Sequence, residues 1–190
     1  MNADEVVIVD YDPSWPGRAS ELIELLATEL GKTARRIDHI GSTSIPGMAA
    51  KKVFDIQVSV DDLDRAVEAF DGPLRSLGFE QGLYEHDHVP MGSPDDPDLW
   101  VKRFWSRRGS GGSAVNLHVR IVGSPNERLA LLFRDWFRSH PTSVPAYAAF
   151  KRALAHAVPD SRTYAEAKDP VVDLVITIAE TWAKHTSWNV

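Results

Sequence analysis

The chain has 190 residues, of which 43% are hydrophobic and 25% are charged, proportions typical of a globular protein with a packed core. Its net charge of −6 argues against non-specific nucleic-acid binding, which requires a basic surface. The absence of cysteine excludes disulfides, thiolate metal sites and cysteine nucleophiles. An acidic amino terminus without a signal core, and no apolar segment long enough to span a bilayer, predict a cytoplasmic protein without a membrane partner.

Strands and helices are predicted to alternate over the first part of the chain. Strands are expected at about 6–9, 34–40, 52–60, 79–84, 99–106 and 114–122. A first helix is predicted between about 14 and 31, and a second follows the cap at Asp61-Asp62, with Gly72-Pro73 expected to break or kink it. Segment 86–98 is predicted to be a long loop, and the glycine-rich segment 107–113 a hairpin connection.

The remainder of the chain is predicted to be helical. Ser124-Pro125 with Glu127 forms a capping box, and further helices are expected to begin at Pro145 and at Asp169-Pro170. The predicted fold is therefore α/β (α+β), with a mixed sheet core at about 1–122 and a helical half at about 123–190. Because there is no internal repeat and no linker, residues 1–190 are predicted to form a single domain.

The clearest chemical signal is the turn after the strand predicted at 34–40. Ile40-Gly41-Ser42 is followed by twelve residues and then by Asp55-Ile56-Gln57-Val58 on the next strand. Alternate residues of a strand point to the same face, so Asp55 and Gln57 share one face. Backbone N–H groups at a helix start, beside hydroxyls and a carboxylate, can form a site for phosphate and a metal ion.

This spacing resembles the nucleotidyltransferase superfamily pattern of an apolar residue, Gly, Gly or Ser, a gap, and then two acids flanking an apolar residue. The resemblance implies a nucleotidyltransferase-like fold in which the Gly-Ser turn holds nucleotide phosphates and the two acids hold Mg²⁺. Here the position of the second acid is occupied by Gln57, whose amide binds Mg²⁺ poorly. We therefore expect either one weakly held Mg²⁺ or a site that binds phosphate without transferring it.

The resemblance becomes specific over residues 39–51, whose centre is the run Gly-Ser-Thr-Ser-Ile-Pro-Gly at 41–47. This run is similar to the hallmark of the GrpB-like proteins, which are small bacterial proteins of nucleotidyltransferase fold, also found fused to dephospho-CoA kinases. Segments 116–119, 133–135, 147–151 and 164–168 extend the similarity to nearly the whole chain. The family resemblance implies a fold and a nucleotide site, but it does not by itself define the activity.

Asp55 and His118 are predicted to be catalytic, and Asp55 with Gln57 to be metal ligands. If the strand carrying His118 neighbours the strand carrying Asp55, the histidine approaches the acid as a ligand or a general base. The alternatives are a structural histidine, and a structural Asp55 carboxylate paired with Lys51 or Arg120.

The remaining candidates are residues that contact phosphate, through backbone N–H groups and hydroxyls in the turn or through positive charge elsewhere. The alternative for the turn is a tight bend that merely needs the positive φ of glycine, and lone basic residues are usually solvated. His86 and His88 could share zinc if they lay on a strand, but their segment is predicted to be a loop, and no second carboxylate or histidine pair is placed to complete the coordination. The predicted phosphate contacts are Gly41, Ser42, Thr43, Ser44, Lys51, Arg103, Lys151 and Lys168.

Three functions are compatible with these residues. The first is a Mg²⁺-dependent transfer of a nucleotidyl or phosphoryl group from ATP or another nucleoside triphosphate to a small acceptor, with adenylation feeding a ligation as a variant. The second is a non-catalytic nucleotide or phosphometabolite binding protein, which Gln57 favours. The third is an interaction module whose helical half binds a partner. Nucleic acid is not expected as a partner in any of them.

Overall fold

The structure is a computed structural model that describes residues 6–109 and 114–190. Residues 110–113 of the predicted hairpin connection therefore lie outside the described residues. The expected strand at 6–9 is reduced to a single bridge between Val9 and Ala50. None of the described helices combines the length and the apolar content needed to cross a membrane.

Within the described residues, five strands form one mixed sheet in the order β1-β2-β5-β4-β3. The two longest strands, β2 and β5, are parallel, and the other neighbouring pairs are antiparallel. This arrangement and the helical carboxyl-terminal half confirm the predicted α+β class. The strands are β1 (Arg36–Ile40), β2 (Val53–Val60), β3 (Glu80–Gln81), β4 (Arg103–Arg107) and β5 (Ala114–Ile121).

Across residues 6–109 and 114–190, five α-helices cover the two faces of the sheet: α1 (Trp15–Leu30), α2 (Leu63–Ser76), α3 (Pro125–Ser139), α4 (Val144–Ala157) and α5 (Ser161–Thr186). The first face buries the apolar residues of β2 and β5, such as Ile56 and Leu117, against α1 and α2. A second apolar cluster joins α3, α4 and α5 to the segment that follows β1, including Ile45 and Met48. The polar residues of β2 and β5 point to the second face, beneath these helices, and this is where the candidate site lies.

Two predictions based on proline are corrected: α2 is not broken at Pro73, and the last helix does not begin at Asp169-Pro170. Helix α2 continues through Pro73 to Ser76, and α5 contains Pro170 well inside its length. The real start of α5 is marked by Asp160, whose side chain accepts hydrogen bonds from the N–H groups of Arg162 and Thr163. Proline in a helix interior costs about 3 kcal/mol, and burial of the helix face offsets that cost here. The longer α5 carries Lys168 as a helical residue.

The strand predicted at 79–84 is also much shorter than expected. Only Glu80 and Gln81 pair with β4. At Gly82 the chain passes so close to the Phe104 ring that an added Cβ would lie 2.8 Å from a ring carbon. Glycine permits this close approach, and the ladder ends there.

Candidate active site

The site is built around the turn that ends β1. Gly41 has φ of 68°, which L-residues with a side chain rarely adopt. A Cβ added at Gly41 would lie 2.9 Å from the Cβ of Asp55 and would overlap its Oδ2 atom. Glycine is therefore required here both by the backbone angle and by the close approach of the Asp55 carboxylate.

After Gly41 the chain makes one 3₁₀ turn, Ser42–Ser44. The Ser44 N–H and hydroxyl both donate to the Gly41 carbonyl, and the Thr43 hydroxyl donates to the Val53 carbonyl. Within the described part of the chain, the N–H groups of Ser42 and Thr43 donate to no protein acceptor. The turn thus leaves two backbone donors without a protein acceptor in the described structure, while the Thr43 and Ser44 hydroxyls, which were predicted to bind phosphate, are occupied by structural bonds.

Asp55 lies on β2 opposite Asn116 of β5, as the parallel register requires. Its Oδ1 atom accepts a hydrogen bond of 2.9 Å from Asn116 Nδ2 and lies 3.6 Å from His118 Nε2. Burial would raise the pKa of Asp55, but the contacts with His118 and Asn116 and the charge of Lys168 outweigh burial and lower it to about 2. Asp55 is therefore a carboxylate at neutral pH, and its side chain remains 29% exposed.

Three lysines line a cavity of about 260 Å³ together with Asp55 and Ser42. They come from different elements: Lys51 precedes β2, Lys151 lies on α4 and Lys168 on α5. Such convergence from separate parts of the chain places several positive charges at one side of the carboxylate. Such a cavity can accommodate an anion larger than a single carboxylate.

The three lysines differ in their surroundings. Lys151 is only 2% exposed, and its Nζ donates a hydrogen bond of 2.7 Å to Ser42 Oγ. Burial, reinforced by the charge of Lys168, lowers the pKa of Lys151 to about 7. Lys51 Nζ donates to Ser161 Oγ at 3.2 Å, and burial lowers its pKa as well. Among the described residues, Lys168 has neither a hydrogen-bond nor an ion-pair partner, so its ammonium group is available to a ligand.

A second cavity of about 220 Å³ adjoins the first and shares Asp55, His118, Ser42 and Lys168 with it. Its other walls are mostly apolar and include Leu129, Phe133, Tyr147 and Val172. The two cavities meet at the carboxylate, with a cationic compartment on one side and an apolar compartment on the other.

His118 is held in one protonation state by its two neighbours. Lys102 Nζ lies 3.4 Å from Nδ1, while Nε2 faces the Asp55 carboxylate. An ammonium group can only donate, so Nδ1 is an acceptor and the ring hydrogen is assigned to Nε2. Burial lowers the pKa of His118 despite the nearby carboxylate. The ring is therefore neutral and can act as a donor toward Asp55, whereas a general-base role would require the other tautomer.

The structure does not bring Gln57 into the cavity, in contrast to its predicted role as a metal ligand. Gln57 is fully buried, its Oε1 accepts a hydrogen bond of 2.5 Å from Arg120 Nη1, and its Nε2 donates to the Glu127 carbonyl. Arg120 in turn makes two hydrogen bonds to Asp87, which also accepts from Lys102 at 2.6 Å. Gln57 thus belongs to a closed network beneath α3.

The predicted phosphate contact Arg103 is also placed away from the cavity. Its register partner is Val119, so its side chain points to the first face of the sheet, where it forms an ion pair of 2.9 Å with Asp64 of α2. The strand alternation that places Phe104 beside His118 necessarily turns Arg103 away.

Two important polar residues were missed by the sequence reasoning. Asn116 was not predicted as a site residue, although its side chain donates a hydrogen bond to Asp55. Asp87 lies in the long loop between two histidines, and no local pattern indicates that it anchors Lys102 and Arg120. His88 contacts Asp173 of α5 at 3.0 Å, and no group of three metal-ligating side chains occurs in the described ranges.

Mg²⁺ is the metal that the superfamily resemblance implies. The ion commonly binds one or two carboxylates and takes its other ligands from substrate phosphates and water. Asp55 supplies one ionised carboxylate beside the cationic cavity, and Gln57 supplies nothing because Arg120 occupies its oxygen. The residues fit one ion held jointly by Asp55 and a substrate phosphate, and they do not fit a two-metal centre.

The fold and the cavity define an α+β protein with a single-carboxylate, lysine-rich site at the edge of a Gly-Ser turn. The chain belongs to the GrpB family, since the family model described as GrpB protein matches residues 5–177. The predicted family resemblance is thereby confirmed.

Individual relatives are similar over nearly the whole chain. A "Dephospho-CoA kinase" of Mycolicibacterium paratuberculosis is 36% identical over 97% of this chain and 48% of its own length. "UPF0157 protein BH1888" of Halalkalibacterium halodurans is 30% identical over 90% of this chain and 80% of its own length. The chain thus spans about half the length of the first curated relatives it matches, and the kinase name describes those longer proteins.

The fold also matches solved structures. The crystal structure of conserved protein GrpB from Enterococcus faecalis has a TM-score of 0.73 at 26% identity and covers 93% of this chain and 99% of its own. A weaker likeness, with a TM-score of 0.47 at 13% identity, relates 71% of the chain to 39% of a Cid1 poly(U) polymerase. A likeness that weak does not establish a shared activity.

Proposed function

We propose that this protein binds a nucleoside triphosphate in the cavity beside the Gly41 turn and transfers a nucleotidyl or phosphoryl group to a small acceptor. The observation that carries the proposal is the convergence of Lys51, Lys151 and Lys168 with the ionised Asp55 on one cavity. Lysine is a common phosphate ligand, and backbone N–H groups that have no protein acceptor add fixed donors for phosphate oxygens.

Charge balance supports a polyphosphate ligand. The protonated forms of the three lysines outweigh the single carboxylate, and Lys168 has no partner among the described residues. Lys51 and Lys168 are less buried than Lys151, so they carry most of the positive charge that a polyphosphate would neutralise.

The residues around Asp55 can orient the reacting group. Asn116 fixes one carboxylate oxygen, and His118 presents its Nε2 hydrogen to the same atom. Asp55 would hold a Mg²⁺ ion shared with the substrate phosphates, and the ion would neutralise charge on those phosphates. The lysines and the N–H groups of Ser42 and Thr43 would hold the remaining phosphate oxygens, so catalysis would depend mainly on positioning and electrostatic stabilisation.

A second function, nucleotide or phosphometabolite binding without transfer, is favoured by one observation. Gln57 replaces the second acid and is engaged by Arg120, so the cavity contains a single carboxylate. Transfer through a two-metal arrangement requires carboxylates that bridge both ions. Binding and turnover therefore have to be measured separately.

The test is a thermal-shift screen of the four ribonucleoside triphosphates, each with and without MgCl₂, followed by a turnover assay with the stabilising nucleotide. A ligand at one hundred times its Kd stabilises the native state by about 2.7 kcal/mol. Lys168→Ala should lose most of that stabilisation, whereas Arg103→Ala, a matched basic residue on the opposite sheet face, should retain it. Turnover that is abolished by Asp55→Asn supports transfer, and stabilisation without turnover supports the binding protein. No stabilisation by any nucleotide would refute both.

A further inference from the structure

Lys151 is the residue of the cavity whose chemistry the phosphate-binding role does not explain. It is almost completely buried, and its single hydrogen bond in the described structure is to the Ser42 hydroxyl. No carboxylate among the described residues lies within ion-pair distance of its Nζ, in contrast to Lys102, which pairs with Asp87 at 2.6 Å. A buried ammonium group without a counter-ion is costly, so the native structure favours the neutral amine.

Neither of the other two lysines of the cavity is as deeply buried as Lys151. Lys51 and Lys168 are only partly buried, and the ammonium group of Lys51 also lies over the Tyr164 ring at 5.4 Å from its centroid. Enzymes make an amine nucleophilic at neutral pH by desolvating it or by placing it next to other cations, and Lys151 has both features. Because its pKa is about 7, a large fraction of Lys151 is unprotonated at neutral pH.

We propose that Lys151 is a nucleophile that accepts the nucleotidyl group of a nucleoside triphosphate as a covalent phosphoramidate, an inference that rests on the proposed function. The neutral Nζ attacks the α-phosphorus, an N–P bond forms, and the bond from that phosphorus to the bridging oxygen of the β-phosphate breaks. The electron pair leaves with pyrophosphate, and the amine loses one proton to water. An acceptor hydroxyl or amine then displaces Nζ from phosphorus, and Lys151 recovers its proton.

Ser42 is the alternative nucleophile because it lies 2.7 Å from the amine. A serine hydroxyl is a weak nucleophile until a base removes its proton, whereas a desolvated neutral amine needs no further activation. Its hydroxyl accepts the Lys151 hydrogen bond and so points the amine toward the turn, where the N–H groups of Ser42 and Thr43 would hold phosphate oxygens. Ser42 is therefore assigned as a positioning residue for Lys151.

The experiment incubates the full chain with each of the four α-³²P-labelled ribonucleoside triphosphates and MgCl₂, then denatures it and measures retained label, intact mass and the modified peptide. We expect one nucleotidyl group on Lys151, in a linkage that survives alkali and is cleaved by acid, as phosphoramidates are. Lys151→Arg keeps the charge but should abolish labelling, and Lys151→Met serves as a second variant if arginine does not fit. Ser42→Ala should slow labelling without moving it to another residue.

A parallel thermal-shift measurement separates this inference from the proposed function. Stabilisation by a triphosphate without a covalent adduct would overturn the nucleophile assignment and leave the binding proposal intact. Label on Ser42, or undiminished label in Lys151→Arg, would also overturn it. Absence of both stabilisation and label would refute the two proposals together.

Discussion

On one face of the sheet, the charged side chains at one end line a cavity, whereas those at the other end are paired with protein groups. At the end near the Gly41 turn, Asp55 shares a cavity with three lysines, and Lys168 has no partner in the described chain. Two residues further along β2, both polar ends of the Gln57 amide are satisfied by protein groups, and Arg120 beside it is fully engaged by Gln57 and Asp87. One strand therefore carries an open end, which is the cavity around Asp55, and a closed end, which is the network of Gln57, Arg120 and Asp87.

The difference shows how polar burial can serve function or stability. A closed buried network gains rigidity when each member has a partner, and removing one member leaves an unpaired charge. At the open end, hydrogen-bond donors remain without protein acceptors. This arrangement costs stability, but the donors stay available to a ligand. Lys102 and His118 form a chain of contacts that links the closed end to Asp55.

The largest predicted effect is at the closed end. Asp87→Ala removes the acceptor of both Lys102 and Arg120, and leaving two buried cations unpaired should lower the free energy of unfolding by about 3–5 kcal/mol. Urea denaturation at pH 7 measures this loss. The matched control is Asp64→Ala, which breaks an ion pair with Arg103 that is 85% exposed on the aspartate side and should cost about 0–1 kcal/mol. Equal losses in the two variants would show that the network is not closed to solvent.

At the open end the effect should have the opposite sign. Lys151→Met replaces a buried amine by an apolar side chain of similar length, and should stabilise the protein by roughly 2–4 kcal/mol below pH 7. Burial and the charges of Lys168, Arg152 and Lys51 lower the pKa of Lys151, while Asp55 raises it. The unfolded chain thus binds more protons between pH 7 and 10.5, so wild-type stability rises with pH in that window.

The gain from Lys151→Met is therefore expected to be complete at pH 6, to shrink above pH 7 and to vanish above about pH 10.5. Urea denaturation at pH 6 and pH 9 compares the full gain with the reduced one, and the ¹³Cε shift of Lys151 reports its titration directly. A titration midpoint near 10.5 would show that the amine is charged at neutral pH, and the open end would then be an ordinary cation site.

The turn itself can be tested with two glycines of similar backbone angle. Gly41→Ala and Gly47→Ala both impose positive φ on a residue with a side chain, at 68° and 77°. Only Gly41 adjoins the Asp55 carboxylate, since the nearest atom to a Cβ at Gly47 is a Val144 methyl carbon at 3.8 Å. Gly41→Ala should therefore cost about 1–2 kcal/mol more in thermal unfolding than Gly47→Ala, and should also abolish nucleotide stabilisation. Equal costs would mean that Asp55 moves away without resistance.

The local patterns of the sequence were sufficient for most of the fold. Alternation on β2 correctly separated the core residues from Asp55, and the cap at Asp62 was recognised from its position before an apolar helix. The start of α5 was missed because a proline at 170 suggested a helix start, whereas packing allows the helix to run through it. The strength of tertiary packing cannot be judged from a local window.

The cavity was only partly predictable for a similar reason. Lys151 and Lys168 were selected because their positive charge could contact phosphate, and both line the cavity beside Asp55. Gln57 was placed correctly on the same face as Asp55, but the sequence gives no indication that Arg120 and the distant Glu127 would enclose it. A strand pattern predicts which side of a sheet a residue occupies, and the elements that cover that side decide whether it reaches solvent.

The smallest expected effect comes from restoring the missing acid. Gln57→Glu places a carboxylate against Arg120, so the new charge should be neutralised inside the closed network and should not face the cavity. We expect a cost of about 1–2 kcal/mol, because the hydrogen bond to the Glu127 carbonyl is lost. Affinity for Mn²⁺ as a probe of the Asp55 site, measured by calorimetry with nucleotide present, should change by less than about tenfold. Asp55→Asn is the matched variant at the open end and should lose the affinity altogether. A large gain in affinity and turnover from Gln57→Glu would mean that the two ends form one metal site. It would also mean that Gln57 alone prevents this site from binding two ions.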